Sequence, residues 1–229
     1  ELIQESGLPD GVLNVVVGEL EVGKHLSSHP GVDRVSFTGS DSVGERIMEQ
    51  AAGNLAGVTL ELGGKSPSIV MPSADVQNIA VEMHMRWARN AGQGCAALAR
   101  LLVHESRYDE FLDAGAEAFD QMVVGDPWDP ATNVGPMIRP DHQASVEGFI
   151  AEALEAGGTK LLEVREPVPD KGYFVNPVLI GELPHSARAV QEEIFGPVAV
   201  VLPFATMEQA IEMANGTPFG LAANIWSQD

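Results

Sequence analysis

Cys95 is the single cysteine of the chain, and it lies in a small, polar, glycine-rich segment, Asn90-Ala91-Gly92-Gln93-Gly94-Cys95. A buried structural thiol usually sits among apolar side chains, whereas this setting suits a thiol that a substrate must reach. A single cysteine cannot form an intramolecular disulfide or a cysteine-cluster metal site. Because a thiolate attacks carbonyl carbons readily, Cys95 is a candidate nucleophile, and an inert free thiol is the alternative.

Glu61 is the last acidic residue of an otherwise apolar, strand-like segment, Gly57–Leu62, directly before Gly63-Gly64. In doubly wound α/β folds the carboxyl ends of the strands line the ligand crevice. A partly shielded carboxylate at such a position can act as a general base, and an ordinary solvated acid is the alternative.

The turn Gly39-Ser40-Asp41-Ser42-Val43-Gly44 links a predicted strand to a predicted helix. We expect the Ser40 hydroxyl to cap the helix, whose free N–H groups and partial positive charge suit a phosphate. An ordinary capped helix, with Asp41 interacting with the helix dipole, would give the same pattern.

Two other apparent ligand motifs are rejected. The segment Gly18–His25 nearly matches the phosphate-binding pattern G-x-x-x-x-G-K-[ST], but His25 replaces the hydroxyl residue, and Glu19 and Glu21 would repel phosphate. His25 and His29 have helical spacing, but a turn separates them, so no metal site is predicted.

Alternating strand-like and helix-like segments predict an α/β fold with mostly parallel sheets. Strands are predicted at residues 12–17, 34–38, 57–62, 68–71, 100–104, 160–163, 178–180, 197–204 and 222–226. Helices are predicted at residues 19–28, 40–52, 75–90, 107–122, 141–156 and 206–214. A domain boundary is expected at Gly63-Gly64. The first residues continue a helical pattern and the last strand is expected to have no partner, so we expect a piece of a longer chain.

The net charge is −20, with 33 acidic residues against 13 basic ones. Nucleic-acid binding needs clustered basic residues, so we expect neither a nucleic acid nor an anionic membrane as partner. No apolar run approaches the roughly 18 residues of a membrane span, and one cysteine suits a reducing compartment, so a cytoplasmic location is expected. The acidity suits a solvated surface, and a high-salt habitat is a further hypothesis.

Several motifs together resemble the aldehyde dehydrogenase superfamily. The segment Thr59-Leu60-Glu61-Leu62-Gly63-Gly64-Lys65-Ser66-Pro67 resembles the family's glutamate signature, and Asn90–Cys95 resembles its cysteine signature, 34 residues further on. Arg100 stands where the family has an arginine. Further matching blocks are Phe37-Thr38-Gly39-Ser40, Glu192–Val198, Gly125-Asp126-Pro127, Gly135-Pro136, Gly172-Tyr173-Phe174 and Gly220–Ala223.

The resemblance implies a parallel-sheet, Rossmann-like fold, with residues 1–62 as part of a dinucleotide-binding domain and residues 63–229 as most of a catalytic domain. Cys95 would attack an aldehyde, giving a thiohemiacetal and then a thioester, with its own N–H in an oxyanion hole. Glu61 would activate the hydrolytic water, and activation of Cys95 before that step is a second role that the resemblance allows. Gly92 and Gly94 would let the backbone approach the substrate closely.

The cofactor implied by the resemblance is NAD or NADP, with NAD favoured. Its expected contacts are Gly18 near the adenosine, Gly39 and Ser40 near the pyrophosphate, Leu62 and Gly63 near the nicotinamide, and Glu193 and Phe195 at the nicotinamide ribose. The expected assembly of the whole protein is a homodimer or a homotetramer.

The family's oxyanion-hole asparagine and the residues that select NAD or NADP lie upstream of this sequence, and its C-terminal segment is absent too. Residues 94 and 96–98 differ from the commonest family versions, so the substrate class stays open. Transfer of the acyl group to coenzyme A, reduction of an acyl phosphate, and a non-catalytic use of the fold remain alternatives.

Overall fold

The computed structural model describes residues 2–229, which form two compact units, residues 2–62 and residues 63–229. The division falls between Leu62 and the glycine pair Gly63-Gly64. The roles of the two units, as dinucleotide-binding and catalytic domains, stay predictions.

The first unit contains a β–α–β arrangement with two parallel strands. Helices α1 (Leu2–Glu5) and α2 (Leu20–Ser28) come first, followed by strand β1 (Arg34–Thr38), helix α3 (Asp41–Ala52) and strand β2 (Gly57–Glu61). Thr38 pairs in register with Glu61, so both strands end at the same edge. Helix α3 buries Gly44, Ile47 and Ala51, which share one helical face, and it packs against α2.

Two predictions for the first unit are wrong. Residues 12–17 were expected to form a strand because they are rich in valine, but they are irregular and exposed. A strand needs a neighbouring ladder for its backbone groups, and in the described chain only β1 and β2 pair in this unit. Ser40 does occupy the N-cap position of α3, but its Oγ lies 3.3 Å from Ser42 Oγ and makes no capping bond.

The second unit is built on a six-stranded sheet in the order β5-β6-β7-β4-β3-β8. All neighbours are parallel except β5 and β6, which confirms the predicted mostly parallel α/β fold. In chain order the elements are β3 (Pro67–Val70), α4 (Val76–Ala88), β4 (Arg100–His104), α5 (Tyr108–Gln121), α6 (Pro140–Glu155), β5 (Thr159–Glu163), β6 (Val178–Gly181), α7 (Arg188–Gln191), β7 (Val198–Phe204), α8 (Met207–Asn215) and β8 (Asn224–Trp226).

The central strands are buried along almost their whole length, as expected for a parallel sheet covered on both faces. The sequence pattern therefore located them well. The last strand corrects a further prediction: it does have a partner, because β8 pairs with β3, and Trp226 Nε1 donates to Ser68 Oγ at 3.0 Å.

His84 lies in the core where α4 packs against α5. Its side chain is fully buried, and its ring lies 5.1 Å from the Phe111 ring and 5.5 Å from the Phe119 ring. Trp87 Nε1 donates to His84 Nδ1 at 3.1 Å, so the neutral ring carries its proton on Nε2, a buried atom without a hydrogen-bond partner. Burial lowers the pKa of His84 from 6.5 to about 4.

We expect the free energy of unfolding to fall as the pH drops from 6.5 towards 4. Below pH 6.5 an unfolded chain protonates His84 and the folded chain does not, so the full loss is about 3 kcal/mol. Urea unfolding near pH 7 and near pH 5 should show a smaller decline for His84→Gln, whose amide oxygen still accepts from Trp87. The control is His25→Gln at an exposed position; equal declines for both variants would contradict the assignment.

Candidate active site

Cys95 lies at the corner of a tight turn between α4 and β4. Ala97 N donates to the carbonyl of Gly94 at 3.0 Å, which closes the turn around the half-buried cysteine. Just upstream, Asn90 and Ala91 both have a φ of 54°, in the left-handed region that residues with a side chain rarely adopt. Helix α4 therefore ends in a strained segment that redirects the chain towards β4.

Two glycines bring this loop against other backbone segments. A Cβ at Gly92, where φ is 68°, would lie 1.9 Å from the carbonyl oxygen of Gly196. A Cβ at Gly64 would lie 2.6 Å from the carbonyl oxygen of Cys95. Glycine is thus required at both Gly92, within the loop, and Gly64, which packs against the cysteine carbonyl. The close approach at Gly92 is to the protein's own chain, and Gly94 has open space around it.

Glu193 lies against the same glycine pair. Gly64 N donates to Glu193 Oε1 at 3.1 Å, and a Cβ at Gly63 would lie 2.6 Å from Oε2. The second unit therefore brings Gly63, Glu193 and the Cys95 carbonyl together around Gly64. Phe195 follows two residues later in a left-handed conformation, with φ at 55°, and its carbonyl accepts from His142 Nε2 at 2.6 Å.

A buried arginine fixes the start of β4. Arg100 is 1% exposed and donates to three backbone carbonyls, those of Lys65 (3.1 Å), Met213 (2.5 Å) and Ala214 (2.7 Å). Met213 and Ala214 lie in the last turn of α8, where carbonyls lack helical partners and a cation is favourable. Burial lowers the pKa of Arg100 to about 10.

Lys65 is 4% exposed at the entry to β3. Burial, and secondly the charge of Arg100, lower its pKa from 10.5 to about 7, while Glu193 and Glu192 oppose the shift. Sequence reasoning gives Lys65 no role beyond its place in the Thr59–Pro67 motif. No local pattern signals its burial, because lysine is ordinarily an exposed residue.

In the first unit, three predicted site positions lie close together at the edge where both strands end. Gly39 N donates to the carbonyl of Glu61 at 3.1 Å, and Ser40 begins helix α3. Leu62 packs on Gly44 in that helix, where a Cβ would lie 2.7 Å from its side chain. Glu61 is an exposed residue at this edge. Gly18 is also exposed and lies just before α2.

The family model described as the aldehyde dehydrogenase family matches residues 1–229. The chain belongs to the aldehyde dehydrogenase family. Geranial dehydrogenase from Castellaniella defragrans is 42% identical over all of this chain and 48% of its own length. The chain spans about half the length of the curated relatives it matches.

Solved structures of other aldehyde dehydrogenases share the fold. A mutant of aldehyde dehydrogenase C from Pseudomonas syringae, in complex with NAD+ and octanal, has a TM-score of 0.94 and 35% identity over all of this chain and 48% of that one. The Mycobacterium tuberculosis aldehyde dehydrogenase in complex with NAD+ has a TM-score of 0.93 and 40% identity over 98% of this chain and 47% of that one. The resemblance seen in the motifs is therefore confirmed for the family and the fold.

Within residues 2–229 of this aldehyde dehydrogenase family chain, no helix is both long and apolar enough to cross a membrane. Among the same residues, no three histidine, cysteine, aspartate or glutamate side chains are grouped so that they could hold a metal ion.

Alanine at position 92 should destabilise the fold far more than alanine at position 94. Gly92→Ala places a Cβ on the Gly196 carbonyl in a left-handed conformation, which should cost more than about 2 kcal/mol in the free energy of unfolding. Gly94→Ala meets open space and is the matched control in the same loop. Urea unfolding compares the two variants, and equal losses would show that the close approach at Gly92 is unimportant.

Proposed function

We propose that the protein containing this chain oxidises an aldehyde to a carboxylic acid, with Cys95 as nucleophile, Glu61 as general base and NAD(P)+ as hydride acceptor. The observation that carries the proposal is the half-buried Cys95 at a turn corner whose backbone is packed against Gly64 and, through Gly92, against Gly196. A thiol that only fills space needs no such support. Its alternative role as an inert core residue is therefore disfavoured.

The relatives support an aldehyde substrate. One is named geranial dehydrogenase, and one structural neighbour is a complex with octanal. Both names refer to apolar aldehydes, as does that of retinal dehydrogenase 2, but another relative is named for betaine aldehyde, which carries a positive charge. We infer the aldehyde class from these names and assign no particular aldehyde.

Cys95 supplies the covalent step. Its thiolate forms a C–S bond to the aldehyde carbon, and the carbonyl oxygen becomes the oxyanion of a thiohemiacetal. Loss of hydride from that carbon leaves a thioester on Cys95. The N–H of Cys95 is the oxyanion donor that this chain offers, since the same residue then holds both the carbon and the oxygen of the reacting group.

Glu61 completes the cycle by removing a proton from water as the water attacks the thioester. The acid then leaves and the thiolate is restored. A carboxylate at the end of a parallel strand is typical of a residue that faces a ligand crevice, which supports this role. Because Glu61 would activate water as the attacking group, the expected product is a free acid and not a coenzyme A thioester.

The residues present fit a nicotinamide dinucleotide, which would supply the hydride acceptor. In the first unit, Gly39 and Ser40 directly precede the twelve-residue helix α3, whose N-terminus is a suitable place for the pyrophosphate, with Gly18 on the adenosine side. In the second unit, the Glu193 carboxylate beside the side-chain-free Gly63-Gly64 strip can accept hydrogen bonds from ribose hydroxyls. Leu62 and Phe195 would pack on the nicotinamide end. Structural neighbours include NAD+ complexes and a complex with NADP, which supports NAD or NADP as the cofactor.

Replacing Cys95 tests the nucleophile. In the whole protein, Cys95→Ala should lower aldehyde-dependent NADH formation by about 10⁴-fold or more, because no other group can form the thioester. NADH absorbance with octanal as substrate is the measurement. Ala96→Ser, at the exposed neighbouring position, should keep the activity. Persistent turnover in Cys95→Ala would reject the nucleophile.

Replacing Glu61 tests the base. Glu61→Gln should lower steady-state turnover by about 10²-fold or more while the first turnover still releases NADH, because only hydrolysis needs the base. Mass spectrometry should then find an acyl group on Cys95. Glu49→Gln, an exposed position of α3 in the same unit, is the control. Unchanged turnover in Glu61→Gln would reject the base role.

A further inference from the structure

The Gln93 side chain, two residues before the nucleophile, makes three hydrogen bonds. Its Nε2 donates to the carbonyls of Asn90 and Pro136, both at 3.2 Å. Its Oε1 accepts from Ile138 N at 3.0 Å. The loop Asn90–Cys95 is called the nucleophile loop below. The Gln93 amide forms one bond within this loop and two bonds to a segment more than forty residues further along the chain.

The loop needs such bonds because its backbone is strained. Asn90 and Ala91 are non-glycine residues in the left-handed region, and each costs about 1–3 kcal/mol. Strain of this kind persists only where the surroundings hold the backbone in place. The bond from Gln93 to the Asn90 carbonyl acts directly on the first strained residue.

Apolar packing around the Gln93–Pro136 contact is sparse, because two cavities border Gln93 and Pro136. One cavity has a volume of about 690 Å³ and is lined by Asn90, Gln93, Pro136, Tyr173, Phe195 and neighbouring residues. Another, of about 420 Å³, is lined by Arg89, Asn90, Gln93, Pro136 and others. With open space beside it, the loop would relax if the amide bonds were lost.

The segment that receives these bonds is itself anchored. Met137 N donates to the carbonyl of Tyr173 at 2.8 Å, and Gln143 Nε2 donates to the carbonyl of Phe174 at 2.9 Å. Residues 136–138 therefore offer Gln93 a fixed carbonyl and a fixed N–H. A glutamine satisfies both, because its amide carries a donor and an acceptor, whereas a glutamate has only acceptors when ionised.

We propose that Gln93 is a positioning residue for Cys95: its amide holds the strained loop so that the thiol meets the aldehyde carbon in a reactive geometry. This inference rests on the proposed function. In this role Gln93 acts through the backbone of residues 93–95 and takes no part in the bond changes of the reaction.

The test uses Gln93→Leu and Gln93→Glu in the whole protein. Both should slow the first turnover of NADH formation with octanal by about 10²-fold, the cost of a reactive group displaced by about 1 Å. The KM for NAD+ should stay within about twofold, because the cofactor contacts are unaffected. Alkylation of Cys95 by iodoacetamide should also be unchanged, since it needs an accessible thiol but not the geometry that the aldehyde requires.

Acid should partly rescue one variant. The carboxyl introduced by Gln93→Glu regains a donor when it is protonated, so its first-turnover rate relative to the unmodified protein should rise from pH 7 to near pH 5. Gln93→Leu should show no such rise. The absence of a rise in Gln93→Glu, or an equal rise in Gln93→Leu, would contradict the donor role.

Asn176→Asp is the matched control, because Asn176 Nδ2 donates to the carbonyl of Glu166 at 3.2 Å, away from the nucleophile loop. It should keep the first-turnover rate. If Gln93→Leu also keeps that rate while Cys95→Ala abolishes activity, the positioning role is wrong and the proposed function stands. If Cys95→Ala stays active, the proposed function itself fails.

Discussion

The second unit depends on one buried guanidinium whose hydrogen bonds are accepted by backbone carbonyls. The guanidinium of Arg100 bonds to Lys65 at the entry to β3 and to the last turn of α8, while its own backbone begins β4. Hydrogen bonds to a charged group are stronger than those between neutral groups. Without the guanidinium, each of the three carbonyls would lose its charged donor in the interior. Arg100 thus fixes the position of Lys65 next to Gly64, and Gly64 contacts the carbonyl of Cys95.

From this anchor the site is built mainly by backbone against backbone. In the loop between α4 and β4, Gly92 packs against the backbone of Gly196, and the carbonyl of Cys95 packs against Gly64. Neither Gly92 nor Gly64 has room for a Cβ. The left-handed residues Asn90 and Ala91 accomplish the change of direction, and the amide of Gln93 restrains them. Two strained backbone positions and the side chain that restrains them thus lie within six residues, a combination typical of functional sites.

Much of the fold could be predicted from the sequence where the pattern is local. The apolar runs of β4 and β7 and the periodicity of α5 and α6 placed those elements within a few residues. Residues 12–17 failed because β-propensity cannot supply a neighbouring strand, and the pairing of β8 with β3 was missed because it joins residues far apart in the sequence.

The site shows the same limit. Cys95, Glu61 and the glycines stand out by residue type and motif, and the family that they indicate is confirmed. The bonding role of Gln93 could not be foreseen, because its partners at Pro136 and Ile138 are distant in sequence. The burial of Lys65 likewise follows from the way separate segments meet, and no local pattern encodes its proximity to Arg100.

Under the proposed function, placing the Cys95 thiol through peptide groups has a consequence for divergence. Carbonyl oxygens are the same in every residue, so the contacts at Gly64 and Gly92 require only that two positions lack a side chain. Neighbouring positions such as Gly94 and Ala96, one with open space and one exposed, can change size or polarity without moving the thiol. A scaffold of this kind separates the part that performs the reaction from the part that selects the substrate, so new specificities can evolve by side-chain exchange while the reacting atom keeps its place.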